Sequence, residues 1–146
     1  MLLSFEDLVE KAKNDLDITQ DNLVEISANT GVDMVFYAEQ RKGWMNIRDR
    51  ETTALKRIER YLWLYYNGKA TAAQLEAINK KSPFKLQLNT KQDIETFIES
   101  DVEYLEQKKS LDEAESVIKF LDEVISAIRF RTQVVRNIIQ EKHSLD

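Results

Sequence analysis

The sequence predicts a mainly α protein: an elongated helical subunit of long amphipathic helices, with one short extended segment near residues 84–88. Three observations carry the prediction. The 146 residues include only Gly 3 and Pro 1, too few turn formers for a β-sandwich or barrel. Hydrophobic residues make up 42% and charged residues 32%, which is too apolar for disorder and too charged for a membrane protein. Finally, apolar residues recur at threes and fours through two long stretches without proline.

The first element follows from Ser4 and Asp7, which resemble a capping box and predict a helix from Phe5 to about Leu16. "DITQD" then breaks the pattern. Thr19 or Asp21 is placed to cap a much longer helix, in which Leu23, Ile26, Met34, Tyr37, Trp44, Ile47, Leu55, Ile58, Leu62 and Tyr65 form one apolar stripe. Such a helix reaches roughly 65 Å. Gly31 and Gly43 are its weak points, where a bend or break is expected to fall if there is one. In "YYNGKA", Asn67 or Gly68 supplies the left-handed residue that ends the helix.

A short helix from Ala72 to about Asn79 follows a Thr71 cap. In "KKSPFKLQLNT" the residues Phe84, Leu86 and Leu88 alternate with Lys85 and Gln87, the only strand-like pattern in the chain. So short a segment must pair with a neighbour or lie extended on the helices. Thr90 with Asp93 and Ser110 with Glu113 are further capping boxes, so the remaining chain reads as one helix or as two meeting near Lys109. Ala114, Leu121, Ile128 and Val135 are spaced by sevens, and Val117, Ile118, Val124, Ile125, Ile138 and Ile139 widen the stripe, with Phe120 and Phe130 alongside. A stripe that wide needs cover on more than one side; the same chain can supply some, but an elongated subunit with few helices has little to offer, so self-association is the expected main source.

Charge is distributed unevenly. The net charge is -5, yet residues 41–91 hold twelve cations (Arg41, Lys42, Arg48, Arg50, Lys56, Arg57, Arg60, Lys69, Lys80, Lys81, Lys85 and Lys91) against four acids, about +8. A local positive field of this kind attracts polyanions. Helical projection puts Leu55, Ile58, Leu62 and Tyr65 on one side and Arg50, Lys56, Arg57 and Arg60 roughly opposite, with Tyr61 and Trp63 flanking the cations. Cations beside exposed rings suit single-stranded nucleic acid, whose phosphates pair with Lys and Arg while its bases stack. A cationic helix face is also commonly no more than a solvated surface, and ring side chains at helical spacing are commonly core.

Other chemistries lack residues. Cys 0 removes thiolate chemistry and suits a reducing compartment. His143 stands alone in a polar tail, and there is no Walker loop, dinucleotide fingerprint or zinc spacing. The acids Asp93, Glu95, Glu99, Asp101, Glu103 and Glu106 could serve divalent ions or a basic partner, but a solvated helix surface is the expected reading. Neither an enzyme nor a cofactor is expected. The acidic residues Glu6, Asp7 and Glu10 rule out a signal peptide, and no apolar run is long enough to span a bilayer, so no membrane partner is expected and the expected location is the cytoplasm.

The order of "FEDLVEKAKNDL", a long helix ending in basic residues and "YYNGKA", then "KSPFKLQL" and "ISAIRFRTQVVRNIIQ" resembles the UvsY-type recombination mediators of T-even-like bacteriophages over nearly the whole chain. The resemblance implies a ring-shaped homo-oligomer, a hexamer or heptamer, in the host cell cytoplasm. It implies a protein that binds single-stranded DNA and promotes loading of a phage recombinase onto DNA coated with single-strand-binding protein. It places DNA contact on Lys56, Arg57, Arg60 and Lys69, and assembly on Leu121, Ile125, Ile128, Val135 and Ile139. With the neighbouring candidates the nucleic-acid set becomes Arg48, Arg50, Lys56, Arg57, Arg60, Tyr61, Trp63 and Lys69. One departure from the family pattern is that Trp63 and Leu64 lie between Arg60 and the tyrosines. The chain is thus expected to be a single domain, 1–146, with a basic and aromatic nucleic-acid-binding part at 1–91 and a helical oligomerisation part at 92–146. The alternative is a non-enzymatic helical oligomeric structural adaptor that uses its cations for protein contacts.

Overall fold

A computed structural model describes residues 1–18 and 22–145. The helices are α1 (Phe5–Leu16), α2 (Leu23–Tyr66), α3 (Ala72–Ala77), α4 (Lys91–Ser100) and α5 (Val102–Leu145), and no strand occurs among the described residues. The proposed caps Thr19 and Asp21 lie outside the described residues. Ser4 caps α1, its hydroxyl accepting from the Asp7 N–H at 3.2 Å, and Thr90 caps α4 through the Asp93 N–H at 3.1 Å.

Packing divides the chain into two compact units, Met1–Asn46 with Glu115–Asp146, and Ile47–Ala114. Each of the two 44-residue helices contributes to both units. A division of roles at residue 91 follows chain order; the packing does not.

In the first unit the seven-residue series has found its cover. Leu121 and Ile128 are 0% exposed and Val135 3%. Leu121, Val124 and Ile128 cluster with Leu8 and Ala12 of α1 and Tyr37 of α2, and Val135 packs with Ile26. Ile125 and Ile139 are partly buried against the same clusters. Much of the cover that the sequence assigns to self-association comes from the same chain, where α1 and the first part of α2 supply it. Phe130 is left outside, 72% exposed.

Two polar groups buried in this unit escaped the sequence reading. Gln40 accepts the Leu3 N–H at 2.8 Å and donates to the Met1 carbonyl at 2.9 Å, tying the segment before α1 onto α2. Arg131 is buried between Ile128 and Val135, where it donates to the Asp15 carbonyl, to Thr30 Oγ1 at 3.2 Å and to Asp33 at 3.3 Å. Its position on the apolar stripe was the available signal, since a cation there needs an internal partner.

α2 runs unbroken through both glycines. At Gly43 the reason is close packing, because a Cβ would stand 2.6 Å from Leu2 Cδ1. At Gly31 a Cβ would meet nothing within 4 Å. Gly31→Ala is therefore expected to stabilise the protein by about 1 kcal/mol, seen as a higher urea midpoint. Gly43→Ala should gain less, because Leu2 must move.

In the second unit Leu62, Tyr66, Ile78, Ile94 and Ile98 form the core, with Phe84 and Leu88 packed against it. The 84–88 segment lies on the helices without strand pairing, and its alternation fails at Leu86, which is 64% exposed at a bend. The rings of Tyr66, Phe84 and Phe97 meet with centroids 4.8 to 5.6 Å apart, so aromatic contacts replace a ladder.

Candidate nucleic-acid interface

The candidate surface is the last part of α2, and its position is fixed from beneath and at its end. Leu55, Leu62 and Tyr66 are buried, and Ile58 packs beside them. That face commits α2 to the core and turns the opposite face outward. The helix then stops sharply at Gly68, whose φ of 72° needs no Cβ to be avoided. The Gly68 N–H reaches the Tyr65 carbonyl at 3.0 Å and the Lys69 N–H reaches that of Leu64 at 2.8 Å, the paired bonds of a Schellman end.

On the outward face Arg50, Lys56, Arg57 and Arg60 are exposed. Arg50 and Arg57 bracket the smaller Thr53 and Ala54, and with Asp49 these residues line a shallow groove of about 330 Å³. Arg48 is half-buried and spends its guanidinium on Asp49, with Nη2 3.2 Å from Oδ1. It thereby offsets the one acid in the groove. Among the described residues none of Arg50, Lys56, Arg57 or Arg60 has an ion-pair partner. Four cations on one face without a counter-charge leave a field that an external polyanion can satisfy.

The two flanking rings differ. Tyr61 is partly buried against the core, and its helical position borders Arg57. Trp63 lines a cleft with Glu59, Glu95 and Glu99. Carboxylates around the indole make a poor seat for a phosphodiester, so grouping Trp63 with the cations is not favoured by its surroundings. Lys69 is exposed just past the helix end.

A third group, Asp101, holds this region together. Its carboxylate accepts from the Tyr66 hydroxyl at 2.7 Å and pairs with Lys80 Nζ at 2.8 Å, while Oδ1 accepts the Glu103 N–H at 2.9 Å and caps α5. Asp101 therefore separates α4 from α5, and the expected junction near Lys109 is corrected: Ser110 lies inside α5 and turns its hydroxyl back to the Glu106 carbonyl at 3.4 Å. Burial pushes the Asp101 carboxyl up, but the bonds from Lys80, Tyr66 and Glu103, with the Lys80 charge, outweigh it and hold the group below its usual range. Burial, then the bond to Asp101, raises the Tyr66 phenol. Lys80 reaches the site because Asn79, with φ 56°, ends α3 in a second Schellman turn, the Lys80 N–H bonding the Leu75 carbonyl at 2.9 Å. Among the described residues no helix is long and apolar enough to cross a membrane.

Among the described residues, the helical chain thus presents one face of α2 whose four exposed cations lack an ion-pair partner. Residues 11–144 match the family model described as "Recombination, repair and ssDNA binding protein UvsY", and the chain belongs to that family. The fold agrees with crystal structures of the bacteriophage T4 recombination mediator protein UvsY. Lattice type IV gives a TM-score of 0.82 at 19% identity, covering 99% of this chain and 100% of that one. Lattice type II gives 0.83 at 19% identity, covering 97% and 96%. No curated protein sequence matches the chain.

Proposed function

We propose that the protein is a single-stranded-DNA-binding recombination mediator, which promotes loading of a phage recombinase onto DNA coated with single-strand-binding protein in the cytoplasm of the infected host. The observation that carries the reading is the unpaired sector Arg50, Lys56, Arg57 and Arg60 on the outward face of α2, in a chain of the UvsY family. Tyr61 and Lys69 extend the track, while Arg48 tunes it by neutralising Asp49. No catalytic step is needed. A scaffold that favours one bound state of the DNA shifts the exchange between two other proteins.

Assembly into a ring of six or seven copies strengthens a modest patch, because contacts on several subunits combine. With Leu121, Ile128 and Val135 enclosed in the subunit, the role of the C-terminal helix in assembly falls to its outer surface and to the partly buried Ile125 and Ile139.

The test is the affinity for a fluorescent oligonucleotide as salt is raised. Each lost phosphate contact lowers the slope of log affinity against log salt by about 0.7 on a single strand, so Arg50→Ala with Arg57→Ala should flatten it by about 1.4. A chain that ignores the oligonucleotide even at low salt would be the structural adaptor instead.

A further inference from the structure

The cleft around Trp63 has a chemistry opposite to that of the arginine sector. It measures about 400 Å³ and is lined by Glu59 and Trp63 of α2, Lys91, Glu95, Ile98 and Glu99 of α4, and Tyr104 of α5. Ile98 is buried, and Trp63 and Tyr104 pack against the same core, so the walls are apolar and backed by a fixed framework. Three carboxylates face one ammonium. That ammonium is held only loosely, with Lys91 Nζ 3.9 Å from Glu95 Oε1 and its side chain 77% exposed. Glu59 and Glu99 have no ion-pair partner among the described residues.

The unit from Ile47 to Ala114 carries twelve cations and twelve acids, yet the two signs face different surroundings. Four of the cations, Arg50, Lys56, Arg57 and Arg60, are exposed on α2, whereas Glu95 and Glu99 stand one turn apart on α4 at the cleft. A nucleic-acid strand is repelled there. A long side chain with an apolar stem and a cationic head fits: the stem lies against Ile98 and Tyr104, and the head sits over the indole between carboxylates. Arginine suits the site better than lysine, because a planar guanidinium stacks on a ring and bonds carboxylates in the same plane.

We propose that this cleft is a docking site for an arginine-bearing segment of a partner polypeptide, read by charge complementarity and by the Trp63 ring. The protein then has two recognition surfaces of opposite sign on one unit, a cationic one for polyanion and an acidic, aromatic one for a basic peptide. Occupying the cleft leaves Arg50 and Arg57 free.

The peptide acetyl-Arg-Gly-Arg-amide tests this, added to the intact protein carrying Trp44→Phe so that Trp63 alone reports by fluorescence. A saturating change is expected, weaker with the lysine analogue and absent with acetyl-Gln-Gly-Gln-amide. Glu95→Gln with Glu99→Gln should weaken binding about fivefold or more. The control Asp112→Asn with Glu113→Gln, which removes the same charge from exposed positions of the same unit, should leave it nearly unchanged. All four side chains are exposed, so both variants fold. Equal weakening by both pairs means attraction by the general negative field only, and overturns the proposal, as does unchanged binding in the cleft pair. Should Trp44→Phe perturb the first unit, peptide titration of the native protein against Trp63→Phe by calorimetry gives the same decision. None of these results bears on oligonucleotide affinity, which is measured separately.

Discussion

Asp101→Ala is expected to cost about 3 to 5 kcal/mol, the usual penalty for breaking a buried ion pair by removing one partner. Three losses coincide. Lys80, about three-quarters buried, is left charged without its carboxylate at 2.8 Å; the Tyr66 hydroxyl loses its acceptor; and the first turn of α5 loses its cap. Urea denaturation followed by circular dichroism measures the cost. A value below about 1 kcal/mol would mean that water replaces the carboxylate at little penalty. Asp101→Asn keeps the shape and the acceptor for Tyr66, so it should cost less than alanine.

The same carboxylate sets a pH limit. Its folded value lies below the ordinary 3.8, so the unfolded chain binds the proton more readily than the folded one. The stabilisation is thus complete above the ordinary value and is lost as pH falls through the folded one. Acid titration of the native protein should lose helix in that range, and Asp101→Asn should show a shallower loss there because the titrating group is gone.

Elements whose signals are local were legible in the sequence. The start of α1 follows from Ser4, which bonds a backbone group three residues away, and the end of α2 from Gly68, whose left-handed backbone stops that helix. The outward arginine sector was legible for a similar reason, since projection around one helix depends only on spacing. Asp101 was not, because its partners arrive from elsewhere: Tyr66 is 35 residues earlier, and Lys80 is aimed by a left-handed Asn79. A carboxylate in a run of acids gives no sign that one member is buried. The surroundings of Trp63 were not legible, because an angle around α2 does not say that α4 brings Lys91, Glu95 and Glu99 to the same cleft. The bond from Arg48 to the adjacent Asp49 was not legible either, because sequence adjacency does not fix a side-chain bond.

Leu121→Asp or Ile128→Asp should unfold the unit formed by α1, the start of α2 and the end of α5, at a cost above about 4 kcal/mol. The family resemblance implies that these residues serve assembly, and on that reading the substitutions lower the mass toward one subunit. In the structure both side chains are fully enclosed by Leu8, Ala12 and Tyr37, and an ionised carboxylate there has no partner. Even Leu121→Ala or Ile128→Ala should cost about 2 to 5 kcal/mol through lost burial and the cavity left behind. Light scattering and circular dichroism on the same sample separate the two outcomes. Loss of helix together with any fall in mass means that the core has failed; a single subunit that keeps its full helical signal would mean that these positions serve the contact between copies. Ile125→Asp and Ile139→Asp sharpen the comparison. Their side chains are only partly buried, so the carboxylate can reach water within one chain but not inside a closed contact between two.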